Sequence, residues 1–308
     1  MAIHRLAELS RDDLRSFDRD RVLFVIPVGG LEQHGPHLPI GTDSFMAEAA
    51  AVQMMRVLDD RRPAWELALF PTIWLGTQPI DEINSTIGSV GSIPIRSSVL
   101  RDLLVDLGCS IGKCGFRYIV VVSRHGGPLH VGAIAAACEF VSDTLGMGMF
   151  YVRFATTRRV LTRANRLMKS PFSSNDLEDI MIEVHAGCAE TSCMLDLTPG
   201  LVNKEYDQLP PVPLKRIADM FTKGIEPDWP GYFGFPHRAT DEFGRCLVAV
   251  AGEELAEGVL AVLDGGEYPG YAGGEQTRQR DMDRRRLEEE AEMEGKIADW
   301  LWVKGVRQ

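Results

Sequence analysis

Val22-Leu-Phe-Val-Ile-Pro-Val28 is an uninterrupted apolar run that ends in Gly29-Gly30. A second run, Tyr118-Ile-Val-Val-Val122, is rich in β-branched residues and is followed by Ser123-Arg-His-Gly-Gly-Pro128. Continuous apolar runs of this length are typical of strands that are buried on both faces, as in a parallel sheet covered by helices. The two runs therefore predict the centre of a parallel sheet.

Two further strands and three helices are predicted around these runs. Residues 67–75, interrupted by Pro71, and residues 149–154 are apolar enough to be strands, whereas residues 44–58, 97–107 and 129–145 have helical periodicity. Either Asp43 or Ser44 could cap the first of these helices. Because strands and helices alternate along the chain, we predict α/β architecture with right-handed crossovers.

The composition is that of a globular protein, with 308 residues of which 45% are hydrophobic and 25% charged. The formal net charge of −11 argues against a nucleic-acid partner, because an acidic surface repels phosphate backbones. No apolar run approaches the roughly 18 residues of a membrane span, and the first residues lack the apolar segment of a signal peptide. Since none of the six cysteines forms a Cys-x-x-Cys pair, we expect a cytoplasmic protein with reduced thiols and no membrane partner.

The chain is long enough for one large domain or two small ones. Residues 199–236 are rich in proline, glycine and aromatic residues, which predicts irregular surface structure. Residues 276–298 are dense in Arg, Asp and Glu and predict a charged helix, with an apolar end at Trp300-Leu-Trp-Val303. We expect one domain over residues 1–264 and a C-terminal extension over residues 265–308.

Side chains with metal-binding chemistry follow the first apolar run. Glu32 and His34 are two residues apart, so that in an extended segment they point the same way, and Asp43 closes the loop just before a predicted helix. This loop leaves the C-terminal end of a strand, where open α/β sheets bind ligands. Carboxylate oxygens and imidazole nitrogens suit zinc, manganese or iron(II). Taken alone, the segment could equally be a polar surface loop.

Two more clusters have similar placement. His125 follows the second apolar run, and the glycines at 126 and 127 would let the backbone approach a ligand closely. His185 and Glu190 lie on either side of a turn of small residues, although a glutamate in a first helical turn is also explained by the helix dipole. Together the clusters contain enough carboxylates and histidines for a two-metal site that keeps water in its coordination sphere.

The ordered motifs resemble those of the creatininase (creatinine amidohydrolase) family. Residues 32–43 read Glu-Gln-His-Gly-Pro-His-Leu-Pro-x-x-x-Asp, residues 125–127 His-Gly-Gly, and residues 185–192 His-Ala-Gly-x-x-Glu-Thr-Ser. Residues 231–236, 239–240 and 244 are similar to the closing motif of the family. The resemblance implies a three-layer α/β/α sandwich with a mostly parallel central sheet. It also implies a homo-oligomer, such as a hexamer.

The resemblance further implies a metal-dependent hydrolase with two divalent ions, which could be Zn, Mn or Fe. By position in the motifs, one ion would be bound by Glu32, Asp43 and His125. The second would be bound by His34 and Glu190, with Asp43 bridging the two. His185 would be the acid/base residue, and Glu190 would also contribute to catalysis.

The chain departs from the family pattern in its second motif. The motif usually begins Asn-Gly-His and ends Gly-Gly-Asn, whereas here Arg124 precedes the histidine and Pro128 replaces the last asparagine. Gly127 stands where creatininase has a glutamate ligand. These differences argue against creatinine as the substrate and favour a hydroxyl-bearing or anionic one. The candidate substrate-binding residues are Arg124, Gln78, Asp81, His37 and His237.

The implied reaction is attack of a metal-activated water on the carbonyl of a small cyclic substrate. We expect it to cleave a non-peptide C–N bond of a cyclic amide or a formamide. Hydrolytic C–C ring opening of a cyclic diketone or keto-inositol is the alternative, because attack on a carbonyl is the shared step. A non-catalytic binding protein on the same fold is the alternative of another class, against which the complete ligand set argues.

Overall fold

A five-stranded sheet forms the centre of the molecule. The computed structural model describes residues 3–82, 90–154, 157–224, 226, 228–266 and 281–303. The strands are β1 (Ile3–Arg5), β2 (Val22–Val28), β3 (Glu66–Leu69), β4 (Tyr118–Ser123) and β5 (Gly148–Arg153). Their order in the sheet is β1-β3-β2-β4-β5, and all neighbouring pairs are parallel. The predicted parallel sheet is therefore confirmed, with β2 and β4 adjacent near its middle.

Helices cover both faces of this sheet. They are α1 (Arg11–Ser16), α2 (Thr42–Arg61), α3 (Ser97–Lys113), α4 (Pro128–Leu145), α5 (Arg158–Leu167), α6 (Ser174–Met181), α7 (Cys188–Leu197), α8 (Met220–Lys223), α9 (Asp241–Leu263) and α10 (Asp281–Val303). Buried residues of α2, α5, α7 and α9 share one core with the sheet, whereas those of α3 and α4 share the other. These three layers confirm the predicted α/β/α sandwich.

Side chains alternate between the two cores along the central strands. In β2, Leu23 and Val25 belong to the core beneath α2 and α9, while Phe24 and Ile26 belong to the core beneath α3 and α4. Burial of each such side chain contributes about 1.5–3 kcal/mol. Because both faces are apolar, the strand shows no alternation of polar and apolar residues. A continuous run was therefore the correct signal for it.

Two details of the sequence prediction were wrong. The strand predicted over residues 67–75 is β3, which ends at Leu69, because the chain leaves the regular ladder at Phe70 and Pro71. Gly41 precedes α2, so that Asp43 and Ser44 lie in the first turn of the helix and neither caps it. The Ser44 hydroxyl instead donates to the carbonyl of Gly30, at 3.2 Å.

The C-terminal part of the described chain is helical, as the charge pattern predicted. Helix α10 contacts the start of α3, where the buried carboxylate of Glu290 accepts the N–H of Ser97 at 2.9 Å. Residues 267–280 and 304–308, including the predicted start of the charged helix at 276, lie outside the described residues. The division at residues 264 and 265 stays a prediction. Within the described residues, no helix combines the length and apolarity needed to cross a membrane.

Close packing of α9 on α7 leaves no room for a side chain at Gly244. A Cβ on Gly244 would lie 1.9 Å from the carbonyl oxygen of Ser192, in the backbone of α7. We therefore expect Gly244→Ala to lower the free energy of unfolding by about 1–3 kcal/mol, because the backbone must shift to relieve the overlap. Gly132→Ala is the matched control, since a Cβ there meets no atom within 4 Å.

The control substitution should instead stabilise the protein by about 0.5–1 kcal/mol, because it removes a helical glycine. Chemical denaturation of the two variants measures both effects. Equal stability of the two variants would contradict the close approach of α9 to α7.

Candidate metal centre

The candidate ligands converge at the carboxyl ends of the two central strands. Glu32 and His34 lie in the loop after β2, and His125 lies two residues beyond β4. Asp43 and Glu190 lie in the first turns of α2 and α7. All five side chains are buried. The sheet order thus brings together residues that are up to 158 positions apart in sequence.

The first group consists of Glu32, Asp43 and His125, whose ligand atoms lie close enough to share one metal ion. The Nδ1 atom of His125 is 2.9 Å from Glu32 Oε2 and 2.9 Å from Asp43 Oδ2. On the other side of the ring, Nε2 is 3.0 Å from the carbonyl of Thr77, to which it donates. If Nδ1 carries no proton, its lone pair faces two carboxylates, an arrangement that either a proton or a metal ion between these atoms would stabilise.

The second group consists of His34, Asp43 and Glu190. His34 Nδ1 donates to the carbonyl of Glu32 at 2.9 Å, which leaves a lone pair on Nε2. That atom is buried and makes no hydrogen bond within the described part of the chain. It lies 3.9 Å from Asp43 Oδ1 and 3.6 Å from Glu190 Oε2, distances too long for hydrogen bonds but suitable for ligands of a common ion.

Asp43 belongs to both groups and presents a different oxygen to each. Oδ2 faces His125 and Oδ1 faces His34. Three carboxylates are buried in the cluster, and the guanidinium of Arg124 is ion-paired with one of them, Glu190, at 2.8 Å. With neutral histidines, two negative charges remain unbalanced, and burial of unpaired carboxylates is costly. This chemistry fits divalent cations.

The protonation equilibria of the cluster reflect the same excess of negative charge. Burial alone would lower the pKa of His125, but the adjacent carboxylates of Glu32 and Asp43 raise it well above its usual value. Burial raises the pKa of Glu32. Burial also acts to raise the pKa of Asp43, but the hydrogen bond and charge of His125 outweigh it and hold that pKa low. A proton on His125 therefore places positive charge between the carboxylates of Glu32 and Asp43.

His185 lies three residues before α7 and faces the same candidate centre. Its Nε2 donates to the carbonyl of Gln33 at 2.7 Å, so the lone pair is on Nδ1, 3.9 Å from Glu32 Oε1. Burial and the nearby His34 lower its pKa well below the usual value. His185 is therefore a neutral base at neutral pH. The ligand atoms of Glu32, His34 and His185 could also hold an ion.

The turn after His185 is held by side chains of the same segment. Ala186 has a positive φ of 51°, which is uncommon for a residue with a Cβ. Its N–H donates to Glu190 Oε2 at 2.7 Å, so the strained turn and the ligand stabilise each other. The Nε2 atom of His37 lies 3.0 Å from the hydroxyl of Thr191, the next residue.

Glu183 is a further buried group that the sequence reasoning missed. It accepts the N–H of Phe235 at 2.7 Å and the N–H of Ala189 at 3.3 Å, and thereby joins α7 to the loop before α9. Burial raises its pKa to about 8. The spacing Glu-x-His at 183–185 repeats that at 32–34 and could have indicated this residue.

A cavity of about 590 Å³ opens onto the cluster. Of the predicted substrate-binding residues, Gln78 and Arg124 line it, together with all of the candidate ligands except His34. Three others do not line it. His37 contacts Thr191 of α7, His237 lies in a 3-10 turn beside Phe235, and Asp81 accepts a hydrogen bond from the hydroxyl of Ser92 at 3.1 Å.

The cavity also has walls that the sequence reasoning did not include. Arg153 lines it at the end of β5. An apolar wall, defined here by Ile217, Met220 and Phe221, comes from a 3-10 turn and the short helix α8 that follows it. Arg153, like His125, lies at the carboxyl end of a strand, where open α/β sheets bind ligands, so the same reasoning could have indicated it. Nothing in the sequence predicts that the residues of the apolar wall face the cavity.

Comparison with known proteins identifies relatives of two kinds. The chain is 24% identical over 264 residues to the 3-dehydro-scyllo-inosose hydrolase of Thermotoga maritima, and the match covers 79% of this chain and 74% of that protein. It is 39% identical over 115 residues to the mycofactocin precursor peptide peptidase of Mycobacterium tuberculosis, which covers 37% of this chain and 43% of the peptidase.

A solved structure shares the fold. The manganese form of creatininase aligns with a TM-score of 0.61 over 87% of this chain and 99% of that chain, at 19% sequence identity. The family model described as "Creatininase: Creatinine amidohydrolase" matches residues 7–259, which include every candidate ligand. The family suggested by the ordered motifs is thus confirmed: the chain belongs to the creatininase family.

Proposed function

We propose that the protein is a metal-dependent hydrolase that binds two divalent ions, Zn, Mn or Fe. One ion would be held by Glu32, Asp43 and His125, and the other by His34, Asp43 and Glu190. The observation that carries the proposal is that Asp43 directs one carboxylate oxygen at each of two buried histidines. The manganese in the related creatininase structure supports the choice of metals.

The residues around the cluster have separate tasks in the proposed reaction. Divalent ions in such sites lower the pKa of water and polarise a carbonyl oxygen. His185 accepts a proton at Nδ1 and returns it to the leaving atom, since its Nε2 is fixed by the carbonyl of Gln33. Glu190 assists by holding the turn that carries His185, through the N–H of Ala186. Arg124 and Gln78 contact the substrate from the cavity wall.

The substrate is a small molecule whose carbonyl is attacked. We propose cleavage of a C–N bond in a cyclic amide or formamide, and the peptidase relative supports C–N chemistry. Hydrolytic C–C opening of a cyclic diketone or keto-inositol is the second candidate. The Thermotoga maritima relative favours it, because the substrate in that protein's name is an oxidised inositol, whose ring contains only carbon.

Two further proposals accompany this function. The protein acts in the cytoplasm on a soluble metabolite. It also forms a homo-oligomer such as a hexamer, and measurement of its mass in solution tests this oligomeric state. A non-catalytic binding protein remains the alternative of another class. The buried base His185 beside the ligand groups argues against that alternative, because binding alone does not need it.

Metal content tests the shared role of Asp43. We expect about two ions per chain in the unaltered protein, about one after Glu32→Gln or Glu190→Gln, and none after Asp43→Asn, because only Asp43 serves both groups. Elemental analysis after dialysis against a weak chelator measures this. Asp60→Asn, an exposed change in the same helix, is the control and should keep both ions.

A different number of retained ions in these variants would overturn the assignment of ligands. If Asp43→Asn retains one ion, the two sites do not depend on a common ligand. If Glu190→Gln retains both, the second ion has another ligand set, for which His185 is the nearest candidate.

Turnover tests the reaction class and the role of His185. We expect hydrolysis of at least one compound among lactams, hydantoins, formamides, cyclic diketones and keto-inositols, abolished by chelation and restored by one metal. His185→Gln should then lower kcat by about 10²–10⁴-fold with metal content unchanged, since general acid–base catalysis contributes this much.

His4→Gln is the control for that variant, because His4 lies in β1 and pairs with Glu66 at 2.7 Å, away from the cavity. Loss of an ion from His185→Gln would show that His185 is a ligand instead. Activity that survives complete removal of metal would contradict the proposed reaction class.

A further inference from the structure

Arg153 is the last residue of β5 and lines the cavity next to Gly126. A Cβ placed on Gly126 would lie 2.8 Å from Nη2 of Arg153, so the guanidinium rests directly against this glycine. Gly126 immediately follows the candidate ligand His125. Arg153 thus places a positive charge at the wall of the cavity, within reach of a molecule bound at the cluster.

Arg153 is exposed, and its charge has no counterion among the described residues. No Asp or Glu oxygen of the described residues lies within 4.0 Å of the Arg153 guanidinium, whereas Arg124 pairs with Glu190 at 2.8 Å. Glu183, the wall carboxyl that makes no part of the metal cluster, is instead bonded to backbone N–H groups of Ala189 and Phe235. Arg153 is therefore available to an anionic ligand.

Backbone donors lie beside it. Gly126 and Gly127 both line the cavity, and their N–H groups donate to no acceptor in the part of the chain that the structure describes. They precede α4, an 18-residue helix whose N-terminal end favours negative charge. The first-turn N–H of Leu129 is already bonded to Gln78 Oε1 at 2.6 Å, so the two glycines supply the remaining donors.

The other side of the cavity has a different chemistry. The apolar wall of Ile217, Met220 and Phe221 faces the open space, and Ile217 is 52% exposed. A ligand that filled the cavity would cover this apolar surface. The cavity thus has three regions: the metal cluster, a cationic corner at Arg153 and an apolar wall.

We propose that the substrate of the hydrolase carries a carboxylate, which binds to the guanidinium of Arg153 and the N–H groups of Gly126 and Gly127, and an apolar group that packs on the apolar wall. This inference rests on the proposed function, because it places the scissile carbonyl at the metal cluster. The single positive charge of Arg153 matches a carboxylate better than a phosphate monoester, which carries about −1.5 to −2 at neutral pH.

A pair of formamides tests the inference by binding rather than by turnover. N-formyl-L-phenylalanine has the carboxylate and an aromatic group, and N-formyl-L-phenylalaninamide is its neutral counterpart. We expect calorimetry with the zinc-loaded protein to show about tenfold or tighter binding of the carboxylate, the effect of one charged hydrogen-bonded contact. Arg153→Gln should remove this preference, whereas Arg153→Lys should keep part of it.

Arg166→Gln is the matched control, because it removes an equal charge from an exposed position on α5 that does not line the cavity. It should leave the preference unchanged. Equal affinity of the two probes, including no binding by either, would overturn the inference. A carboxylate preference that persists in Arg153→Gln would also overturn it, since the carboxylate would then bind elsewhere, for example to the metal.

The outcome is separable from that of the proposed function. Zinc content is measured for each variant, and Arg153→Gln should retain it, since Arg153 belongs to none of the ligand groups. If the protein binds zinc but shows no preference, the inference alone fails. If it binds none of Zn, Mn and Fe, the proposed function fails, and the same pair of probes titrated against the metal-free protein decides whether Arg153 binds carboxylates.

Discussion

The Asp43 carboxylate connects the two halves of the candidate centre, with one oxygen directed at His125 and the other at His34. Around it, Glu32 and Glu190 bring the number of buried carboxylates to three, and Arg124 balances one of them. Such a concentration of buried negative charge destabilises a fold unless cations compensate it. The burial and charge of these groups therefore make the cluster a plausible place for a metal ion to bind, as the proposed function requires.

The fold supplies this arrangement through its topology. Parallel strands end at the same edge of the sheet, so the loops after β2 and β4 carry their ligands to neighbouring places. Helices α2 and α7 begin at the same edge and add Asp43 and Glu190 from their first turns. Close approach of α9 to α7 at Gly244 keeps α7 in position. This contact lies at Ser192, two residues from Glu190, so the packing of α9 supports the helix that carries this candidate ligand.

The sequence alone identified the central strands and the candidate ligands, because both have strong local signals. Val22–Val28 is apolar on both faces, and the ligands lie in motifs with fixed spacing. Weaker signals failed where tertiary contacts decide the outcome. The three-residue strand β1 depends on pairing with β3, and it was not predicted. Asp43 and Ser44 look like helix caps in sequence, but both point into the fold instead.

Side-chain placement within the cavity was the least predictable feature. His37 and His237 lie in or near the motifs that resemble those of the family, yet neither lines the cavity, whereas Arg153 does. No local pattern distinguishes an arginine that faces a cavity from one that faces solvent. Likewise, the apolar wall comes from a 3-10 turn and a four-residue helix, which are too short for hydrophobic periodicity to indicate which way they face.

The most direct test of the account is a crystal structure of the manganese-loaded protein with anomalous scattering data. The account predicts two anomalous peaks on either side of Asp43, each at coordination distance from one of its carboxylate oxygens and about 3.5–4 Å apart. A single peak, or two peaks that do not share Asp43, would contradict it.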